Sequence, residues 1–212
     1  SVKSGVKTFT YASSSAVYGD HPSLPKIEDQ MGKPLSPYAA TKHMNELYSS
    51  VYSRLYDFRT TGLRYFNVFG PRQDPNGAYA AVIPKWLNKM VDGNSIEING
   101  DRAITRDFCY IENVVRANLQ SAFVSSDQQG GVYNISCSEE ISLMDLYNIL
   151  KQNIQKLGLN YNKPPVIREP RLGDIKHSLA NIDSAKLCLD YEPVINVREG
   201  LRLTSQYYAA EF

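Results

Sequence analysis

The feature that most limits how this chain can fold is a regular change between strand-like and helix-like segments. Residues 7–14 and 59–71 are rich in β-branched and aromatic side chains, as strands are. Between them, apolar residues recur at helical spacing down to about Tyr56, after a start at Ser36 and Pro37 that is typical of a capped helix. This order favours an α/β fold with a parallel sheet.

The rest of the chain continues the alternation. Short strands are predicted at 95–100, 106–111, 131–136 and 164–169, and helices at 80–93, 112–126 and 142–158, followed by two short helices from about residues 183 and 197. Pro84 interrupts or begins the first of these helices, whereas Ser142, with Asp145 three residues later, caps the third. The segment 19–37 is rich in Pro, Gly and Asp and is predicted to be a long loop, which is usually functional in a compact domain.

Charge and composition argue against several classes of protein. The 212 residues carry 23 basic and 22 acidic side chains, so the net charge of +1 lacks the basic excess of a nucleic-acid surface. No apolar run approaches 18 residues, and the first residues do not resemble a signal peptide, so we expect neither a membrane span nor secretion. The three cysteines and three histidines lack the spacing of metal ligands, and a reducing, cytoplasmic location is expected.

Tyr38 and Lys42 form the first pattern with a chemical meaning. They are four residues apart in the predicted helix and therefore lie on one of its faces. A nearby ammonium group stabilises a phenolate, so such a pair can act as a general base near neutral pH. The spacing alone is weak, because a half-buried tyrosine and a solvated lysine are common on helix surfaces.

A hydroxyl-rich loop gives this pattern its context. The first predicted strand ends in Ser13 and Ser14 and enters a loop at Ser15, and ligands bind at the carboxyl ends of strands in open α/β sheets. Ser14 or Ser15 could hydrogen-bond a substrate hydroxyl that Tyr38 deprotonates. Serines in turns also often bond their own backbone, so both interpretations stay open at this point.

Five motifs in a fixed order then resemble a known family. They are SSSAVYG (13–19), SPYAATK (36–42), LRYFNVFGPR (63–72), RDFCYIENVVRA (106–117) and REPRLGDIKHSLAN (168–181). Together they resemble the extended short-chain dehydrogenase/reductase superfamily, in particular nucleotide-sugar 4-epimerases, and most closely the bacterial UDP-N-acetylglucosamine 4-epimerases. The resemblance implies the C-terminal part of a Rossmann-like, doubly wound parallel sheet with a smaller α/β substrate domain, and it implies NAD as cofactor.

The resemblance also assigns roles to individual residues. Tyr38 would be the catalytic acid and base at the sugar 4-hydroxyl, with Ser14 or its neighbour Ser15 as the catalytic hydroxyl. Lys42 would bind the nicotinamide ribose, and Tyr65 would contact the nicotinamide side. The residues implied to bind the UDP-sugar are Asn67, Ala81, Arg106, Arg171, Asp174 and Ser178. Arginine forks suit phosphate oxygens, and a carboxylate suits paired ribose hydroxyls.

Two details narrow the reaction within this family. The loop of Ser14, Ser15 and Ala16 carries no carboxylate, unlike dehydratases and decarboxylases, which need an additional acid or base there. This favours 4-epimerisation through a 4-keto intermediate. Ser178 is small where related epimerases can carry a bulky tyrosine, which leaves space for an N-acetyl group. We therefore expect interconversion of UDP-GlcNAc and UDP-GalNAc, with UDP-glucose 4-epimerisation as an alternative.

One expected part of such an enzyme is not in the sequence. No Gly-rich dinucleotide fingerprint occurs, so roughly 100 residues of a βαβαβ half are expected to precede this chain. Residues 1–70, with a return segment near 103–126, are predicted to belong to the dinucleotide-binding domain, and 71–102 with 127–212 mainly to the UDP-sugar domain. A truncated, non-catalytic module that binds nucleotide sugars or a partner is the alternative.

The resemblance also implies partners and a setting. A homodimer is expected through the helices at 38–56 and 112–124, provided that the preceding part is present, because members of the family commonly pair through a four-helix bundle. No nucleic acid and no membrane is expected as a partner. Synthesis of surface polysaccharides or glycan precursors is the pathway that the resemblance suggests.

Overall fold

A computed structural model describes residues 1–56, 58–77, 81–100, 103–123, 130–170 and 176–210 of the chain. Its strands are β1 (Thr8–Ser14), β2 (Arg59–Tyr65), β3 (Val68–Phe69), β4 (Glu97–Asn99), β5 (Thr105–Asp107), β6 (Cys109–Tyr110), β7 (Gly131–Ile135), β8 (Glu140–Ser142) and β9 (Val166–Arg168). Its helices are α1 (Pro37–Tyr56), α2 (Val82–Val91), α3 (Ile111–Phe123), α4 (Leu143–Lys156), α5 (Asp183–Leu189) and α6 (Val197–Ala210).

The main sheet is parallel, as the alternation of strands and helices predicts. It has the order β1-β2-β7, with Ser14 opposite Tyr65 and Tyr65 opposite Ile135. The three strands therefore end at one level, and the loops that follow them share one edge of the sheet. Helix α1 packs against β1 and β2, and α3 also contacts both strands.

Two predicted strands are each divided in the structure. The segment 59–71 separates into β2 and β3 at Asn67, whose φ of 36° lies in the left-handed region and turns the chain out of the main sheet. The segment 106–111 separates into β5, which pairs antiparallel with β8, and β6, which pairs parallel with β3. Strand β8 was missed, because its three residues directly precede a helix.

The starts of α1 and α4 follow the capping rules. Ser36 Oγ accepts a hydrogen bond from the Ala39 amide at 3.1 Å, and Ser142 Oγ accepts one from the Asp145 amide at 3.0 Å. Pro84 lies in the first turn of α2, where its missing N–H leaves no helical bond unmade. The predicted cap positions of α1 and α4 are thereby confirmed.

Buried apolar residues form two clusters. One includes Trp86, Leu87 and Leu150 and is built mainly from α2, α4 and α6. The other includes Leu63 and Ile135 of the main sheet, together with residues of α3 and α5. The predicted division into a dinucleotide-binding and a UDP-sugar domain stays a prediction.

The outer face of α1 is apolar and uncovered. Met44, Leu47, Val51 and Leu55 expose between 43% and 68% of their surface. Among the described residues, no helix combines the length and the apolar character that a membrane-spanning segment needs.

Candidate active site

The first group of candidate residues lies at the carboxyl edge of the main sheet. Ser14 ends β1, and Ser15 opens a short 3₁₀ turn, Ser15–Tyr18. Ser14 Oγ accepts a hydrogen bond from the Ala16 amide at 3.2 Å, which caps this turn. The hydroxyl hydrogen of Ser14 stays available, because this bond uses only an acceptor lone pair. Within the described part of the chain, Ser14 therefore combines the turn role with a hydroxyl that can still donate at the sheet edge.

Tyr38 and Lys42 lie in the first two turns of α1, beside this edge. Lys42 Nζ donates a hydrogen bond to the Ala12 carbonyl of β1 at 2.9 Å and lies 5.7 Å from the Tyr38 ring centroid. This bond fixes the ammonium group next to the phenol, and the remaining two N–H groups of Lys42 can serve a ligand. Tyr38 is 56% exposed. Its hydroxyl can thus meet a substrate without rearrangement of the helix.

Tyr65 ends β2 in register with Ser14. Its hydroxyl lies within 3.1 Å of the Asn118 side-chain amide on α3. Burial raises the pKa of the Tyr65 phenol, and the Asn118 hydrogen bond offsets part of this shift. Tyr65 is therefore a neutral hydrogen-bonding group at physiological pH, and its contact to the nicotinamide side stays a prediction.

A second group lies beyond the main sheet, around the junction of β5 and β6. Asn67 Nδ2 donates to the Asp107 carbonyl at 2.8 Å, and the Cys109 amide donates to the Asn67 carbonyl at 3.3 Å. Arg106 Nη1 donates to the Lys176 carbonyl at 3.1 Å. These bonds hold Asn67 at the junction of β5 and β6 and tie Arg106 to the segment that carries Ser178.

The remaining substrate candidates are only partly placed. Ser178 is half-buried, two residues beyond Lys176, and Ala81 is the N-cap residue of α2. Arg171 and Asp174 lie outside the described residues. The assignment of all six to UDP-sugar binding therefore remains a prediction.

Asp107 holds the second group together. Its carboxylate is fully buried and accepts hydrogen bonds from the Ser136 hydroxyl, the Ala180 amide at 3.0 Å, and the amides of Cys137 and Glu139. Burial raises the pKa of Asp107 to about 6, although these hydrogen bonds counteract the shift. Asp107 thus joins the end of β5 to the loop after β7 and to the segment that follows Ser178.

A buried ionic cluster of Ser13, Glu46 and Arg64 was missed in the sequence. Arg64 Nε and Nη2 donate to the two carboxylate oxygens of Glu46 at 2.9 and 2.8 Å, and Ser13 Oγ donates to Glu46 Oε1 at 2.5 Å. The Arg64 and Glu46 side chains are only 3% and 7% exposed. Burial alone lowers the pKa of Arg64, but hydrogen bonds and charge from Glu46 outweigh this effect, and the net pKa lies above its usual value.

Arg64 also binds the loop before α1. Its Nη1 donates to the Glu28 carbonyl at 2.8 Å, and its guanidinium lies 4.8 Å from the Tyr18 ring centroid. The Tyr18 hydroxyl donates to Asn134 Oδ1 at 2.6 Å, which reaches β7. Two signals in the sequence could have revealed this network. An arginine inside an apolar strand is unusual, and Glu46 continues the four-residue spacing of Tyr38 and Lys42.

Comparisons of the sequence and the fold with known proteins point to one family. The sequence model of the NAD dependent epimerase/dehydratase family matches residues 1–136. A putative UDP-glucose 4-epimerase of Methanocaldococcus jannaschii is 35% identical over 201 residues, which is 94% of this chain and 62% of that protein.

Solved structures give the same result. The UDP-N-acetylglucosamine 4-epimerase from Methanobrevibacter ruminantium M1, in complex with UDP-N-acetylmuramic acid, has a TM-score of 0.90 and 37% identity, covering 100% of this chain and 66% of that one. The UDP-glucose 4-epimerase from Thermotoga maritima, with UDP-glucose, has a TM-score of 0.91 and 35% identity, covering 99% and 66%. This chain thus spans a little under two thirds of the length of these relatives. It belongs to the NAD-dependent epimerase/dehydratase family.

Proposed function

We propose that this chain is the catalytic and sugar-binding part of an NAD-dependent UDP-hexose 4-epimerase. The observation that carries the proposal is the placement of Tyr38, Lys42 and Ser14 around one edge of the parallel sheet. Lys42 is held beside an exposed Tyr38 by its hydrogen bond to the Ala12 carbonyl, and Ser14 keeps a free hydroxyl donor on the adjacent strand.

The residues present fit the nicotinamide end of NAD. Lys42 has two N–H groups left for ribose hydroxyls, and Tyr38, which is 56% exposed, lies beside the same edge. The Gly-rich turn that binds the pyrophosphate in dinucleotide-binding folds does not occur in the 212 residues. When bound, NAD would supply reversible oxidation at C4 of the hexose.

The chain's own residues handle the proton. Tyr38 as phenolate takes the proton of the 4-hydroxyl and returns it to the same oxygen after the 4-keto sugar has turned to present its other face. The Lys42 ammonium stabilises the phenolate by charge, and Ser14 donates a hydrogen bond to the reacting oxygen. The Ser14, Ser15 and Ala16 loop offers no second acid for elimination, which favours epimerisation over dehydration.

The second group of residues would hold the UDP. Arg106 and Arg171 would bind the diphosphate, Asp174 the uridine ribose, and Asn67 the diphosphate or the sugar. The Arg106 side chain is already tied to the segment before Ser178 through the Lys176 carbonyl, which supports a shared site for both. Firm binding of UDP together with loose binding of the hexose would allow the 4-keto sugar to rotate within the site and present its other face.

We infer UDP-GlcNAc and UDP-GalNAc as the interconverted pair, because a half-buried serine at 178 leaves more room than a tyrosine would. The test is turnover of UDP-GlcNAc, UDP-glucose and UDP-glucuronate by the intact protein, followed by NMR of the C4 epimers. Ser178→Tyr should selectively lower the turnover of the acetylated sugar, and Ser178→Ala should leave it unchanged. Equal losses on all three sugars, or none, would refute this substrate assignment.

The same assay tests the broader proposal. A protein that binds UDP in calorimetry but converts none of the three sugars would be a nucleotide-sugar-binding module instead of an epimerase. We further propose a cytoplasmic homodimer that pairs through α1 and α3. The uncovered apolar face of α1 supports this pairing, as does the exposure of Leu119 (56%) and Phe123 (82%) on α3.

A further inference from the structure

The buried cluster of Ser13, Glu46 and Arg64 connects the candidate catalytic residues to one another. Glu46 lies on α1, four residues after Lys42 and eight after Tyr38, so that all three point to a similar side of the helix. Ser13 and Arg64 are register partners on β1 and β2. Each immediately precedes a candidate site residue, Ser14 and Tyr65 respectively.

One carboxylate therefore connects three elements at the level of the site. Glu46 Oε1 accepts from both Ser13 Oγ and Arg64 Nε, and Glu46 Oε2 accepts from Arg64 Nη2. A two-bonded arginine–carboxylate fork fixes both distance and angle, which a single contact between apolar side chains does not. The fork thus sets the rotation and height of α1 against the ends of β1 and β2.

Stabilisation of the fold is a weak explanation for the presence of this buried ion pair. Burying two charges carries a desolvation penalty that often equals or exceeds their attraction, and apolar replacements of similar volume are often neutral or stabilising. The Arg64 and Glu46 side chains are 3% and 7% exposed, so this penalty applies to both. The property that the ion pair supplies and an apolar pair lacks is a fixed distance and angle between α1 and the two strands.

We propose that Glu46, with Arg64 and Ser13, positions Tyr38 and Lys42 relative to Ser14 for proton transfer. This inference rests on the proposed epimerase function. Glu46 and Arg64 touch no reacting atom and act through the helix and strands that carry the catalytic residues. The other contacts of Arg64, to the Glu28 carbonyl and the Tyr18 ring, extend the same alignment to the loop before α1.

The experiment compares three variants of the intact protein. Glu46→Gln keeps the shape and one acceptor oxygen but removes the charge. The double variant Glu46→Leu with Arg64→Met removes both charges and keeps the volume apolar. Leu150→Ala, in the remote core of α4, is a control that destabilises without touching the cluster. The readouts are kcat and KM for UDP-GlcNAc, the thermal midpoint, and amide hydrogen exchange of residues 37–46.

Glu46→Gln should lower kcat by about 10- to 100-fold with KM within about twofold, because misplacement by about an ångström is enough for such a loss. The double variant should melt above Glu46→Gln, because it leaves no buried charge unpaired, and should still show the low kcat. Leu150→Ala should melt earlier with kcat unchanged. Recovery of kcat together with stability in the double variant, or an equal loss of kcat in Leu150→Ala, would overturn the positioning role.

Hydrogen exchange separates this inference from the proposed function. If the wild-type protein converts no UDP-sugar, the epimerase proposal fails. Hydrogen exchange alone then tests whether the cluster positions α1. Faster exchange of 37–46 in both cluster variants, with α4 unchanged, supports the positioning role. Wild-type exchange in that segment overturns it.

Discussion

Replacing the buried Arg64 by Met should destabilise the protein far more than replacing the exposed Arg202 by Met. Among the described residues, three hydrogen bonds reach the Glu46 carboxylate; the substitution removes the two from Arg64, at 2.9 and 2.8 Å, and leaves the one from Ser13. The carboxylate is 7% exposed, so water cannot replace the lost donors. Removal of one partner from a buried ion pair typically costs about 3–5 kcal/mol, and we expect a loss of free energy of unfolding in this range.

Urea unfolding followed by far-UV circular dichroism measures this loss, with the fluorescence of Trp86, the single tryptophan, as a second probe in the other apolar cluster. Arg202→Met is the matched control. Arg202 pairs with Glu199 at 2.6 Å, which is shorter than the buried pair, but the two side chains are 47% and 41% exposed. The control should unfold close to wild type, since exposed pairs contribute little. Equal losses in the two variants would refute the reasoning from burial.

Three further predictions concern stability. Burial raises the pKa of Asp107 to about 6, so the folded state binds this proton more tightly than the unfolded chain. The free energy of unfolding of the wild type, measured by urea titration, should therefore rise by roughly 2–3 kcal/mol relative to that of Asp107→Asn when the pH is lowered from 7 to 4. A constant difference across this range would contradict that assignment. Ser142→Ala should cost about 1 kcal/mol through the lost cap on the Asp145 amide, whereas Ser142→Thr should retain most of it. Gly200→Ala should lower the melting temperature, although alanine favours helices, because the alanine Cβ would lie 2.9 Å from the Tyr110 side chain. A higher melting temperature would show that Tyr110 can move aside.

The local elements were predictable wherever short-range chemistry decides them. The Ser36 and Ser142 caps placed the starts of α1 and α4, and the terminal helices begin at Asp183 and Val197 as expected. The last helix is longer than predicted and reaches Ala210. The break at Asn67 was not predicted, because its positive φ follows from the exchange of strand partners between two sheets, which is a tertiary effect.

The candidate site residues were predictable where spacing and motif mark them. Tyr38 and Lys42 were predicted from their four-residue spacing together with the family resemblance, and Ser14 or Ser15 from the serine-rich end of a strand. Their catalytic roles stay predictions. The cluster of Ser13, Glu46 and Arg64 depends on contacts between residues 18 and 33 positions apart. The arginine inside an apolar strand and the spacing of Glu46 mark two members in the sequence, but neither signal indicates which residues pair.

The most direct test of the central claim is 4-epimerisation of UDP-GlcNAc by the intact protein and its Tyr38→Phe variant. We expect the wild type to interconvert the C4 epimers and the variant to be about 10²- to 10⁴-fold slower, with UDP affinity within about twofold. Tyr48→Phe, at an exposed tyrosine of the same helix, should retain wild-type turnover. Wild-type turnover in Tyr38→Phe would contradict the assignment of Tyr38 as the proton-transfer group.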